Sequence, residues 1–191
     1  MKIGLVGEAP NDIQSIKNLL LKRYTDSKYK FVFMLQRING SNLDSQKTKR
    51  FLRIEFEIQK PDIVIFIRDL DSVLPNKIKL YERRNYFTNF NRVVNKKGIH
   101  LLHIYEIEAL ILSDIETFNK IYNTNIPKFI DVMKVNEPKE FLKKATSKYS
   151  ESQNSDIFDK LDFNKVLDCK YFGKFIENLD KLLVKFNFPT I

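Results

Sequence analysis

Asp69 and Asp71 stand two residues apart at the end of a nearly unbroken apolar run, Ile63 to Arg68, that opens after Pro61. An apolar run of that length closed by acids reads as a buried parallel strand. In an open α/β sheet, ligands lie outside the carboxyl ends of the strands. If the backbone stays extended through Asp71, the period of two turns both carboxylates the same way. Two converging carboxylates form a site for Mg²⁺, a hard cation that prefers oxygen ligands. The same residues also suit a helix start, because Asp caps helices and turns, and Ser72 and Pro75 follow. On this segment alone both readings stand.

Other acids fall at comparable places. The segment Gly7-Glu8-Ala9-Pro10-Asn11-Asp12 ends a first apolar stretch, with Glu8 at the strand end and Asp12 in the first turn of the helix that Pro10 opens. Singly, Asp12 could serve the helix dipole and Glu8 could be a solvated loop residue. A third group follows the stretch 99–105, where Glu106 and Glu108 sit among apolar neighbours. On a helix the two point in different directions, so only one of them is expected to reach the centre. Asp114 reads as an outer ligand or, preferably, as a polar cap before Ile115. A carboxylate set of this kind supports metal-assisted phosphoryl transfer with one or two Mg²⁺ or Mn²⁺ ions.

These acids need a sheet to bring them together. Four segments read as strands, at about 2–7, 29–35, 62–68 and 99–105. Helical periodicity separates them at 11–24, 41–60 and 75–97. The alternation argues an α/β fold with a mostly parallel four-stranded sheet flanked by helices. Beyond Tyr105 the pattern continues as helix from Glu106 to about Tyr122, breaks at 123–127, and resumes at 138–144, 157–161 and 171–186. Residues 147–155 are polar and Ser-rich and read as a loop. The expected organisation is an α/β unit over 1–122 and a helical extension over 123–191 packed on it.

Composition narrows the function classes. With 191 residues and 43% hydrophobic content the chain has enough material for one sizeable core. A single cysteine, Cys169, excludes an intrachain disulfide framework and a cysteine-based zinc site, and fits a reducing cytoplasm. No apolar stretch approaches the ~20 residues of a membrane helix. The formal net charge of +9 favours polyanionic partners, nucleic acid among them.

A Glu on the first strand, Asp-x-Asp at the end of the third, and a following Glu-Ala-Leu stretch (Glu8 with Asp12, Asp69 and Asp71, Glu108-Ala109-Leu110) resemble the Toprim pattern of topoisomerases, primases, ribosomal-RNA maturases and overcoming-lysogenisation-defect (OLD) nucleases. The resemblance covers about residues 1–114. It is closest to the OLD-type branch and its small stand-alone relatives, with Pro138, Ala145-Thr146 and Tyr149 similar to their helical tail. It implies a Toprim-like, Rossmann-like fold and an Mg²⁺-dependent nuclease site. Glu8, Asp12, Asp69, Asp71 and Glu108 are the implied ligands, and Glu8 is also the implied general acid or base. Lys148 is the nearest counterpart of the OLD-type catalytic lysine, although Glu151 aligns there as easily. No phosphate-binding Gly-x-x-x-x-Gly-Lys loop is present, so an ATPase would be a partner protein. By the same resemblance the chain could be an effector in bacterial anti-phage defence.

Several basic residues could guide nucleic acid, DNA more than RNA: Arg37 in the loop after the second strand, Lys47 and Arg50 on the following helix, and Arg68 beside Asp69, which it could also orient by a bidentate pair. Such runs are more often solvated helix faces. His100 and His103 are an odd number of residues apart on a strand and therefore face opposite ways, which argues against a shared zinc ion. Two rival readings remain, a non-catalytic Toprim-like scaffold for a partner or nucleic acid and a metal-dependent phosphotransferase on small phosphoesters. Homo-oligomerisation is compatible with all of them.

Overall fold

The structure is a computed structural model that describes residues 1–25, 27–36, 42–74 and 76–187, and the side chains of those up to 185. Four strands, β1 (Lys2–Val6), β2 (Lys30–Phe33), β3 (Ile63–Asp69) and β4 (Gly98–His103), form one sheet in the order β2-β1-β3-β4. All three pairings are parallel. The fold is therefore α/β and Rossmann-like. β3 is central, and its residues Ile63 to Arg68 are all buried, which is why its sequence is apolar without alternation.

Helix α1 (Pro10–Leu21) leads from β1 outward to β2, α2 (Gln46–Gln59) carries the chain back across to β3, and α3 (Lys77–Val93) leads on to β4. The connections after β1 and β3 thus leave in opposite directions from neighbouring strands. The crevice between the carboxyl ends of β1 and β3 is the topological switch point, where ligands bind in open α/β sheets. Gly7 matters at this crevice for space rather than for its dihedral angles. A Cβ there would stand 2.8 Å from Cγ1 of Ile13, so the glycine lets α1 start close against the sheet.

Two apolar layers cover the sheet. Val6, Val64 and Phe66 pack with Leu52, Phe56, Tyr86 and Phe90 of α2 and α3. On the other face Ile3, Leu5, Ile65 and Leu101 pack with α1 and with a series of C-terminal helices, α4 (Ala109–Ser113), α5 (Ile115–Tyr122), α6 (Pro138–Ala145), α7 (Asn154–Lys160), α8 (Phe163–Leu167) and α9 (Lys170–Asn187). One continuous cluster runs from the strands into Phe158, Phe172 and Leu179, so the C-terminal helices share the core of the sheet. Among the described residues no helix is long and apolar enough to cross a membrane.

Helix limits differ from the sequence expectation where capping chemistry decides. α2 begins at Gln46 because the Ser45 hydroxyl accepts from the Thr48 N–H, and α3 begins after Asn76, which accepts from the Lys79 N–H. The continuous helix expected over 106–122 is two helices, because Asp114 leaves the helical region (φ −121°, ψ 56°). The loop expected over 147–155 contains a single 3₁₀ turn, Glu151–Gln153, closed by reciprocal Ser150 and Gln153 bonds, and it runs directly into α7.

Candidate metal centre

Asp69 is the last residue of β3 and shares the face of Ile63, Ile65 and Ile67, toward α1 and the C-terminal helices. Glu8 follows β1 across the crevice. Its Oε1 accepts from the Asp69 N–H at 3.3 Å and lies 2.7 Å from Nε of Arg68. Arg68 lies on the opposite face of β3, with only 4% of its side chain exposed; it also reaches Asp44 at 3.1 Å and stacks over the Tyr86 ring at 4.5 Å. The Nε–H of Arg68 is not aimed as a hydrogen bond at Glu8, so that contact is an ion pair rather than a fork-to-fork match. Arg68 thus pairs with Glu8 and Asp44 instead of Asp69, and a buried guanidinium so engaged is not exposed to a phosphate backbone. It holds Glu8 at the mouth of the crevice.

Asp12, in the first turn of α1, and Glu108, at the N-terminus of α4, complete the acid group around Asp69. Burial, and then the charges of Asp12, Glu8, Glu108 and Asp71, hold the Asp69 carboxyl well above the usual carboxylate range. Burial, followed by Glu108, Glu8 and Glu151, pushes Asp12 up to about 7, with Lys139 opposing. Glu108 is raised by burial and supported from behind, since its Oε1 accepts from Asn154 Nδ2 at 2.9 Å and from the Tyr149 hydroxyl at 3.4 Å. The single Tyr149 proton is shared with Asn154 Oδ1, the nearer acceptor at 2.9 Å, and both residues are buried. Glu106 turns away to α6, where its carboxylate accepts from the Lys139 N–H at 3.2 Å and its Oε1 stands 3.4 Å from Lys139 Nζ.

Asp71 departs from the extended geometry. Its φ of 54° turns the chain as β3 ends, so its carboxylate does not follow that of Asp69. Arg83 of α3 binds it there, and the Arg83 Nε–H donates to the Asp69 carbonyl at 2.7 Å. Arg83 thus anchors the strand end. Asp114 stands before Ile115 at the start of α5, and its carboxylate is engaged by residues outside the acid group. Burial works against its charge, but the Asp162 N–H, the Thr117 hydroxyl and Lys165 hold it below the usual carboxylate range, and it ties α5 to α8.

Lys148 lies apart from the acids, lining a surface cavity of about 340 Å³ with Tyr122, Gln153 and Asp156. The lysine beside the acids is Lys139, whose Nζ lies between Glu106 and Glu151, the latter at 3.8 Å. Lys47 and Arg50 are exposed on α2, and Arg37 lies outside the described residues. His100 and His103 are on opposite faces of β4, His100 stacked on Phe87, and burial lowers them to about 4 and about 3, so both are neutral. Among the described residues no three His, Cys, Asp or Glu side chains are gathered at ligating spacing. The acids share one crevice without closing on a common point. Comparison of the chain with family models, with curated proteins and with solved structures finds no match.

The donor set nevertheless suits a hard dication. It is made of carboxylate oxygens, three of them on buried or half-buried residues with raised proton affinity, at the switch point of a parallel sheet. Asp69, Asp12, Glu8 and Glu108 are the residues that could hold Mg²⁺ or Mn²⁺. Asp71 could join only by leaving Arg83.

Proposed function

We propose that this chain is a Toprim-type, Mg²⁺-dependent phosphodiester hydrolase, a nuclease. The observation that carries the reading is the burial of Asp69 beside Glu8, Asp12 and Glu108 at the crevice between β1 and β3. Mutual repulsion makes that grouping unfavourable without a multivalent cation. A bound ion would neutralise the scissile phosphate and activate water. The chain's own residues supply the positioning. Arg68 fixes Glu8, and Asn154 with Tyr149 fixes Glu108. Lys139 offers a positive charge at the rim for a phosphate oxygen. Glu8, half-buried and open to the crevice, is placed to take or give a proton. The basic excess of the chain would draw a polyanion toward it. A separate ATPase partner and a defence setting belong to the same proposal.

The test uses purified protein with plasmid DNA and with RNA, in Mg²⁺ or Mn²⁺ and in EDTA. Cleavage that requires the metal and disappears in Asp69→Asn supports the proposal. Absence of cleavage on every substrate and metal rejects it. One observation favours a second reading, a non-catalytic scaffold: Arg68 and Arg83 already pair with Glu8 and Asp71, so part of the acid charge is balanced internally. In that case Mg²⁺ and Mn²⁺ leave the melting temperature unchanged.

A further inference from the structure

The edge of the sheet formed by β2 and α2 carries features that the acid crevice does not use. β2 is an edge strand. Lys30 and Met34 donate inward to β1, so the main-chain groups of Phe31 and Phe33 point away from it. Above that edge α2 exposes Phe51 (42%), Ile54 (55%) and Ile58 (72%). With Lys47, whose ammonium lies 5.7 Å from the Phe51 ring centre, these residues are spaced four, three and four apart and form a single stripe on one helix face. A cavity of about 590 Å³ opens between the stripe and the strand, lined by Phe33, Leu35, Phe51 and Ile58 among others. Glu55 closes one side by accepting from the Leu35 N–H at 2.8 Å.

The charges beside the stripe divide along the helix. Lys47, Lys49 and Arg50 occupy its N-terminal half, Arg53 stands at its middle, and Glu55 and Glu57 lie in its C-terminal half. Such a face is complementary to itself when inverted. In an antiparallel pair the basic half of one α2 lies along the acidic half of the other, and Arg50 and Glu57, seven residues apart and flanking the stripe, meet twice across the two-fold axis. We infer that the β2–α2 edge is a homodimer surface occupied by a second copy of this chain, with the two α2 helices antiparallel and the two β2 edges continuing one sheet. A sheet extended in this way also removes an open apolar edge that would otherwise favour aggregation. The contact is one helix about 21 Å long and one short strand, less than the roughly 800 Å² per partner of a stable complex. The net charge of +9 on each copy opposes association as well. The dimer is therefore weak, in the micromolar range, and Arg50 serves it rather than nucleic acid.

Sedimentation velocity from ~1 to ~500 µM tests the inference over the range of such a dissociation constant. The wild-type chain is expected to pass from monomer to dimer with concentration. Arg50→Glu and Glu57→Arg should each remain monomeric, and the double variant should dimerise again. An equimolar mixture of the two single variants should form a heterodimer, because each supplies the charge that the other lacks. A chain that stays monomeric throughout overturns the inference, and so does a dimer that survives both single substitutions. Circular dichroism of the variants separates lost association from lost folding.

Discussion

Asp12→Asn removes one charge from the acid group and leaves its shape. The Asp12 carboxyl is pushed from 3.8 to about 7 by burial and by Glu108, Glu8 and Glu151. Between those values the folded chain binds a proton that the unfolded chain has lost, so wild-type stability falls as pH rises from about 4 to about 7 and stays lowered above it. At ~1.4 kcal/mol per unit the static ceiling is about 4 kcal/mol. Water and side-chain movement reduce it, and the neutral amide forfeits some interaction with the N-terminus of α1, worth about 0.3–1 kcal/mol. In EDTA at pH 8, Asp12→Asn should therefore be more stable than wild type by about 1–3 kcal/mol, or about 3–10 °C for a chain of this size. At pH 4 the two should be nearly equal. Saturating Mg²⁺ should reverse the order at pH 8, raising wild type and leaving the variant almost unmoved. Urea denaturation at both pH values, with and without metal, reads all three differences. A variant less stable than wild type by the same margin at pH 4 and pH 8 would refute the reasoning, since a native contact and not charge repulsion would then dominate at Asp12.

Arg68→Met should cost about 1–2 kcal/mol in urea denaturation, because it takes the buried cation away from Glu8 and Asp44, whose partly exposed carboxylates regain water in its place. Asn154→Ala should lose about 1–3 kcal/mol, and weaken Mn²⁺ binding about 10-fold or more, by freeing Glu108 and the Tyr149 hydroxyl; calorimetric titration checks the affinity. Lys139→Ala should slow cleavage of plasmid DNA, whereas Lys148→Ala, on its separate surface cavity, should cleave at the wild-type rate.

The elements that follow from local pattern were legible. The β3 run is apolar at every position because both faces are covered, and the alternation of strands and helices gives the parallel sheet. The amphipathic C-terminal helix, expected over 171–186, is α9, Lys170–Asn187. What escaped depends on contacts between distant residues. Nothing near Asp71 in the chain indicates that it takes φ 54° and binds Arg83, twelve residues on. Arg68 sits next to Asp69, but strand alternation sends it to the other face, where Asp44 and Glu8 await it. Asn154 reads as one more polar residue in a Ser-rich stretch until α7 packs against α1 and brings it to Glu108, 46 residues away. Lys148 and Lys139 are indistinguishable by composition, and the bond from the Lys139 N–H to Glu106 decides which stands by the acids. Five-residue α8 is too short for periodicity to reveal, and Asp162 at its start is recognised through Asp114, 48 residues earlier.

The central claim is that Asp69 and its neighbours hold a divalent cation. Titration of Mn²⁺ into the purified chain, followed by the electron paramagnetic resonance signal of the free ion, tests it most directly. Wild type should remove one or two Mn²⁺ ions per chain saturably, Mg²⁺ should displace them, and folded Asp69→Asn should remove none. Equal uptake by wild type and Asp69→Asn, or no uptake by folded wild type, would contradict the account.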